Sequence, residues 1–384
     1  MQKKRVTILG STGSIGRQAL AVLARFPERF QVHGLAAGKN LVLLKEQARK
    51  FRPEIISIQD PARARELEKS LPGKLKVLTG EEGLNELAGS SRTDWVLSAL
   101  AGGEGLKPLL QAVEARKNVA LANKEPMVMA GKLIMSRARK KGVSIIPVDS
   151  EHSAIFQLLA RRPRSEIRRV WLSASGGPFL HKKPAELVSV SVSQALRHPT
   201  WKMGRKISVD SATLMNQALE LLEARWLFGL APEQLKVIVH PQSIVHSLVE
   251  MCDGAMFAHL SVPDMKIPIA FALFYPQRPE LEFPAPALTE ISSLNFEKPD
   301  LKNFPALKLG FVALKAGGTL PAAMNAANET AVAAFLEGRI GFTQIVEIVA
   351  GVMAGHKNIE PRKLAQILEA DRWARRRAGE LARG

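Results

Sequence analysis

The first 148 residues alternate short apolar strands with amphipathic helices, and no other feature constrains the fold of this chain as strongly. Strands are predicted at Val6–Leu9, Gln31–Ala36, Ile55–Ile58, Lys76–Leu78, Trp95–Ala99, Val119–Leu121 and Val143–Val148. Helical periodicity lies between them, as from Leu41 to Phe51 and from Leu106 to Ala115. Regular strand–helix alternation implies a parallel sheet with right-handed crossovers, hence an α/β fold. From Asp149 to Phe274 strand-like runs (Val170–Ser173, Val237–Val239) mix with helices, the pattern of an α+β domain. Pro276, Pro279, Pro284, Pro286, Pro299 and Pro305 then mark residues 275–305 as an extended linker. From Ala306 to Gly384 the pattern is helical, with Ala331–Gly338, Thr343–Met353 and Pro361–Ala378 predicted as members of a small bundle.

A chain of 384 residues is too long for one compact core, so two or three domains are expected. One cysteine, Cys252, excludes an internal disulfide and any multi-cysteine metal site, and suits a reducing cytoplasm. The start, Met1-Gln2-Lys3-Lys4-Arg5, runs straight into a strand with no signal-peptide core, and no apolar run is long enough to span a bilayer. The formal charge of +18 raises nucleic-acid binding as a rival function. The basic residues are spread along the chain, however, and five Trp and one Tyr offer little for base stacking. The expectation is a soluble basic protein whose field attracts small anions, with no nucleic-acid or membrane partner.

Strand one runs into Gly10-Ser11-Thr12-Gly13-Ser14-Ile15-Gly16, ahead of a helix from Ile15 to Phe26. Glycines here allow a tight turn and bring backbone N–H groups close to a pyrophosphate at the helix N-terminus. Enzymes that take NAD place an acid at the end of strand two to accept from the ribose 2′-hydroxyl. This chain has His33-Gly34-Leu35-Ala36-Ala37-Gly38-Lys39-Asn40, with no acid and with Lys39 placed to meet a 2′-phosphate. NADPH is therefore the expected cofactor.

Strand seven leads into Pro147-Val148-Asp149-Ser150-Glu151-His152. On extended backbone, carboxylates two residues apart point the same way, and their mutual repulsion suits a hard divalent cation. Further on, Asp210 or Ser211 is expected to cap a helix that runs to Phe228 and stops at Gly229. On that helix Thr213, Asn216, Gln217, Glu220 and Glu223 form a polar stripe at three- and four-residue spacing, a source for a third carboxylate. Ser173-Ala174-Ser175-Gly176-Gly177-Pro178 offers hydroxyls and backbone donors to a phosphate. The segment from Arg197 to Lys206 holds His198, Trp201, Met203 and four cations, with Pro199 and Gly204 as hinges, and reads as a substrate lid.

Taken together, these stretches resemble the 1-deoxy-D-xylulose 5-phosphate reductoisomerase family of the non-mevalonate isoprenoid pathway. The resemblance is carried by GSTGSIG from Gly10, AGKN from Ala37, LANKE from Leu121, PVDSEH from Pro147 and SGGPF from Ser175. HPTWKMGRKISVDSATLMN from His198, HPQSIVHS from His240 and NAANE from Asn325 complete it, in the family's order along nearly the whole chain. It implies a homodimer with a Rossmann-like nucleotide domain (1–148), a catalytic and dimerising domain (149–274), a linker (275–305) and a helical domain (306–384). It implies rearrangement and NADPH-dependent reduction of 1-deoxy-D-xylulose 5-phosphate, with Mg2+, Mn2+ or Co2+ as metal.

The implied metal ligands are Asp149, Glu151 and Glu220, which selects Glu220 over Glu223. Lys124 and Glu151 are the implied catalytic residues. Implied substrate contacts are Lys124, Ser150, Glu151, Ser175, His198, Trp201, Ser211, Asn216, Gln217 and Glu220. Implied cofactor contacts are Thr12, Gly13, Ser14, Ile15, Gly38, Lys39, Asn40, Asn123, Glu125 and Gly204.

The chain also departs from the pattern. Pro126 stands where the family usually has Ser, and Gln217-Ala218 where it usually has Lys-Gly. The second change removes a cation from beside the substrate phosphate. His240 and His246 are read as parts of the sheet or dimer interface and not as zinc ligands, and no chemistry is assigned to Asn325–Glu329. A semialdehyde or homoserine dehydrogenase on a similar frame is the enzymatic rival; it would need neither the acidic triad nor the lid.

Overall fold

A computed structural model describes residues 3–70 and 75–383. The N-terminal Met1-Gln2 of the sequence reading lies outside them, as do residues 71–74 and 384. In chain order the first part comprises β1 (Lys4–Leu9), α1 (Ser14–Arg25), β2 (Phe30–Ala37), α2 (Leu41–Phe51), β3 (Ile55–Ile58), α3 (Pro61–Ser70), β4 (Lys76–Thr79) and α4 (Gly80–Ala88). It continues with β5 (Trp95–Ser98), α5 (Leu106–Glu114), β6 (Asn118–Leu121), α6 (Glu125–Lys141), β7 (Ile145–Pro147) and α7 (Ser150–Leu158). Next come β8 (Ile167–Ala174), α8 (Pro184–Val188), α9 (Val192–Ala195), α10 (Arg205–Thr213), α11 (Met215–Phe228), β9 (Leu235–Val239), β10 (Val245–Met251), β11 (Met256–Leu260) and α12 (Lys266–Phe274). The last helices are α13 (Pro305–Ala316), α14 (Leu320–Leu336), α15 (Phe342–Gly355) and α16 (Leu364–Leu381).

The chain divides into two compact units. The first comprises residues 1–126, 132–153 and 264–282. All seven predicted strands join one sheet of order β4-β3-β2-β1-β5-β6-β7, parallel throughout. Val6, Ile8, Leu35, Ile56, Val96, Leu97, Val119 and Leu121 are fully buried, as expected of strands covered on both faces. The strand order reverses between β1 and β5, which makes their carboxyl ends the switch point where such sheets bind ligands. α12 belongs to this unit: Phe274 meets Phe26 and Phe30 edge-on at 4.9 and 4.8 Å, and Lys4 Nζ donates to the Leu273 carbonyl at 3.1 Å.

The second unit comprises residues 127–131, 154–263 and 283–384. Its four-stranded sheet has the order β11-β10-β8-β9, with β8 and β9 parallel and β10 antiparallel to both neighbours. Ala-rich α14 is almost wholly buried and packs against α15 and α16. Small side chains let α11 and α13 approach closely: an added Cβ at Gly310 of α13 would stand 2.5 Å from that of Ala218 of α11. The proline-rich stretch holds no helix, and its one ladder contact is Glu297 with Val239. α13 was not delimited from sequence, and α14 begins eleven residues before the predicted Ala331.

Candidate active site

Three groups of side chains take up most of the residues singled out from sequence. The first is the nucleotide turn. Gly10 has φ +90°, and a Cβ there would lie 2.3 Å from the Ala99 carbonyl oxygen; at Gly16 it would lie 2.3 Å from the Gly10 oxygen. Glycine at these two positions is demanded by the fold itself. Gly13 and Gly38 are different, because neither has positive φ and a Cβ at Gly38 meets nothing within 4 Å. Gly13 is the N-cap of α1, with no side-chain cap and no acid in the first turn, so the N-terminal dipole faces an uncharged opening flanked by Thr12, Ser14 and Ile15. Asn40 caps α2 by accepting from the Leu43 N–H at 3.1 Å, and Lys39 precedes it at the lip of an open cavity. Asn123 is buried; its Nδ2 donates to Glu125 Oε2 at 2.5 Å and to the Gly102 carbonyl at 3.2 Å.

The second group follows β7. Ser150 and Glu151 form the first turn of α7, so Glu151 is not on extended backbone as the two-residue spacing suggested. The reason is capping: Asp149 Oδ1 accepts from the His152 backbone N–H at 3.3 Å, which turns the chain into a helix immediately. Lys124 Nζ lies 2.9 Å from Asp149 Oδ2, and His152 Nδ1 lies 2.9 Å from Asp149 Oδ1. Burial by itself raises the Asp149 carboxyl, but the attractions of Lys124 and His152 outweigh it and hold the group well below the usual carboxylate range. Ser150 Oγ donates to Glu151 Oε2 at 2.7 Å. His152 was missed from sequence, although its place one helical turn after Asp149 was the signal.

The third group lies in the second unit. His198 Nδ1 accepts from the Thr200 and Trp201 N–H groups at 3.1 and 2.9 Å. The ring proton therefore sits on Nε2, which donates to Ser175 Oγ at 2.9 Å. Burial lowers the His198 pKa to about 4, so this neutral tautomer persists at physiological pH. Ser175 Oγ also accepts from the Gly177 N–H at 3.2 Å, which leaves the serine hydroxyl as a donor with a fixed origin. Gly176 and Gly177 both have positive φ, and a Cβ on Gly177 would stand 2.7 Å from the Ser211 carbonyl oxygen, so this turn and Ser211 are in contact.

The helix after the lid starts earlier than expected. Gly204 is the N-cap of α10, so Asp210 and Ser211 lie inside that helix and cap nothing, and the helix N-terminus expected after Ser208 is absent. The break comes instead at Leu214, left-handed with φ 60°, and α11 starts at Met215 and ends at Gly229 as predicted. Asp210 is buried because Lys206 Nζ at 2.9 Å and Asn328 Nδ2 at 2.8 Å satisfy it, and so it cannot serve as a solvent-facing cap. The contact with Asn328 gives the NAANE segment a structural role. The stripe on α11 is not a wet face: Asn216, Gln217, Glu220 and Glu223 are all buried, and Asn216 Nδ2 donates to Glu220 Oε1. Trp201 is half-buried, 6.4 Å from the His246 ring, and Lys202 is exposed. His246 bonds Ser261 Oγ at 2.9 Å and His240 the Asn295 carbonyl at 2.8 Å, both as parts of the sheet region.

The chain matches three family models. They describe the 1-deoxy-D-xylulose 5-phosphate reductoisomerase (residues 6–131) and two C-terminal domains of the same enzyme (residues 145–228 and 260–377). It is 50% identical over 380 residues to the 1-deoxy-D-xylulose 5-phosphate reductoisomerase of Chlorobaculum tepidum, which covers 98% of this chain and 99% of the relative. It is 50% identical over 376 residues to that of Anaeromyxobacter dehalogenans, covering 98% and 96%. Among solved structures, the Zymomonas mobilis enzyme in complex with NADPH superposes with TM-score 0.92 at 40% identity, covering 99% of each chain. A DOX-P reductoisomerase in complex with NADPH, fosmidomycin and magnesium superposes with TM-score 0.93 at 39% identity, covering 99% and 98%. With the sequence motifs, the fold and the full-length matches in agreement, this chain belongs to the 1-deoxy-D-xylulose 5-phosphate reductoisomerase family.

Proposed function

We propose that this chain catalyses the NADPH- and divalent-metal-dependent rearrangement and reduction of 1-deoxy-D-xylulose 5-phosphate to 2-C-methyl-D-erythritol 4-phosphate, a step of isoprenoid precursor synthesis. The observation that carries this is the 50% identity to a reductoisomerase across 98% of the chain. The nucleotide turn fits NADPH: open space before Gly38, the uncapped start of α1 and Lys39 suit two phosphate groups. Thr12, Gly13, Ser14, Ile15, Gly38, Lys39, Asn40, Asn123, Glu125 and Gly204 are its proposed contacts. The donor chemistry of Asp149, Glu151 and Glu220 fits a hard cation such as Mg2+ or Mn2+, since all three offer carboxylate oxygens and Asp149 is held ionised.

When bound, the metal supplies Lewis-acid polarisation of the substrate's hydroxyl and carbonyl oxygens, and NADPH supplies a hydride. The chain's own residues do the rest. Glu151 accepts the proton of the substrate hydroxyl as carbon–carbon cleavage begins, and Lys124 stabilises oxygens that gain negative charge. Ser150 orients the Glu151 carboxylate through their hydrogen bond. Ser175, its donor aimed by His198 Nε2–H, binds the substrate phosphate with Ser211, Asn216 and Gln217. Residues 199–204, with Trp201, form a lid that excludes water from the reactive fragments; Arg205 and Lys206 belong to α10.

Dimerisation is proposed at β11, an edge strand exposing Met256 and Phe257. The domain boundaries at 148, 274 and 305 and a cytoplasmic location are part of the same reading; among the described residues no helix is long and apolar enough to cross a membrane. The test is NADPH oxidation with deoxyxylulose phosphate, measured with and without EDTA. Turnover that EDTA abolishes and Mg2+ restores is the expected result; oxidation without substrate, or indifference to EDTA, overturns the reading.

A further inference from the structure

The turn after β2 borders an open cavity of about 530 Å3, lined by Lys39, Asn40, Leu41, Val42, Arg63 and Glu66. Lys39 was expected there from sequence. Arg63 was not: it lies on α3, and only the parallel pairing of β2 with β3 brings the start of α3 beside the start of α2. Its Nη1 donates to the Lys39 carbonyl oxygen, which ties the guanidinium to the turn itself. One donor of a guanidinium's five is used in that bond. Its ion pair with Asp60 is long, Nε to Oδ2 at 3.7 Å, and exposed. Such pairs contribute little, so Asp60 does not quench the charge. The other acid at the cavity, Glu66, is engaged by Lys45 Nζ at 2.6 Å. Among the described residues no carboxylate pairs with Lys39. The cavity therefore presents two cations against one acid that is already paired, beside the Asn40-capped start of an eleven-residue helix.

The charge matches one chemical group. A phosphate monoester carries about −1.5 to −2 near neutral pH, more than one lysine balances. Lysine acts as a compact point charge, whereas the arginine fork takes two phosphate oxygens at once. Val42 is 70% exposed at the same cavity and offers apolar surface for a flat base. We propose that Arg63 is the second half of a two-cation clamp on the 2′-phosphate of the nucleotide. With Lys39 it sets the preference for the phosphorylated over the unphosphorylated cofactor. The inference rests on the nucleotide assignment above and goes beyond it by naming a residue that no family motif in this sequence contains.

The test is direct binding, without turnover. NADPH and NADH are titrated into the full-length protein, following nicotinamide fluorescence, for wild type, Arg63→Ala, Arg63→Lys and Lys39→Ala. Arg63→Ala is expected to weaken NADPH about tenfold, or ~1.4 kcal/mol, and to leave NADH within about twofold. Arg63→Lys should recover part of the loss, and 2′,5′-ADP should compete less well against the Arg63→Ala protein while ADP competes as before. Equal weakening of NADPH and NADH means that Arg63 only holds the turn through the Lys39 carbonyl, and this overturns the clamp. Unchanged NADPH affinity in Arg63→Ala overturns it as well, while leaving the nucleotide assignment standing. A wild-type protein with no preference between the two nucleotides overturns the nucleotide assignment, and the clamp with it.

Discussion

Gly177→Ala puts a number on how closely the proposed phosphate-binding turn depends on its neighbour. Gly177 has φ +68°, a region that costs an L-residue about 1–2 kcal/mol. The new Cβ would also stand 2.7 Å from the Ser211 carbonyl oxygen, where carbon and oxygen normally stay about 3.3 Å apart. The turn and α10 must separate by roughly 0.6 Å, and that gap opens between Ser175 and Ser211, two proposed phosphate ligands. A misplacement of about 1 Å costs on the order of a hundredfold in rate, so a shift of this size should cost about tenfold in both fosmidomycin affinity and kcat. NADPH affinity should change far less, because of its proposed contacts only Gly204 lies in the same unit as the turn. The control is Gly176→Ala. Its φ of +83° carries the same backbone penalty, but the nearest atoms to its Cβ would be the end of the Leu180 side chain, at 2.8 Å, and not backbone. Inhibition constants, kcat, NADPH titrations and thermal melts on both variants separate the two effects. Gly177→Ala protein that folds and inhibits like Gly176→Ala would refute the contact argument, as would equal losses in NADPH binding.

Three further outcomes are expected. Glu220→Gln should lower kcat by at least about a hundredfold, the upper end of what losing a group that merely orients a metal ligand costs, and raise the Mg2+ concentration for half-activity, with NADPH binding intact; wild-type Mg2+ dependence removes Glu220 from the metal site. His198 should titrate near pH 4 by ring nitrogen NMR, with the proton on Nε2 above that pH. Because its folded pKa is depressed, the unfolded chain binds more protons between about pH 6.5 and pH 4. The neutral ring therefore contributes stability that is present above pH 6.5 and is lost as pH falls through that window. A midpoint near 6.5 contradicts the buried tautomer. Gln217 is buried where the family usually has Lys, and Lys202 on the lid is exposed. If the lid lysine supplies the missing charge, Lys202→Ser should weaken fosmidomycin about tenfold and adding Gln217→Lys should recover most of that loss; additive effects make Lys202 a solvated charge.

Local chemistry made much of this protein legible in its sequence. Seven strands were recoverable because each is a short, mostly apolar run bounded by helical periodicity, and a parallel sheet buries both faces of its inner strands. Gly10 and Gly16 were recognisable because the close packing of strand and helix permits nothing larger there. Gly229 announced the end of α11, since a left-handed residue is needed to stop it. The absence of an acid after strand two was equally plain, because it is read from a few consecutive residues, Ala36 to Asn40.

What the sequence could not decide were outcomes of competition between distant groups. Asp210 has the chemistry of a helix cap, yet Lys206 and Asn328 claim its carboxylate, the latter 118 positions away, so α10 runs through it and breaks at Leu214. Glu151 lost its extended backbone because Asp149 caps α7, and Asp149 is held ionised by His152 together with Lys124, 25 positions earlier and 2.9 Å away. The spacing of the stripe on α11 suits a solvent-facing side, and only the tertiary packing buries Asn216, Gln217, Glu220 and Glu223. Arg63 is one arginine among many in the sequence; the pairing of β2 with β3 places it against the Lys39 carbonyl. Propensity and spacing act over a few residues, whereas desolvation and ion pairing are settled by whichever groups the fold brings together, and at this site those groups come from separate segments of the chain.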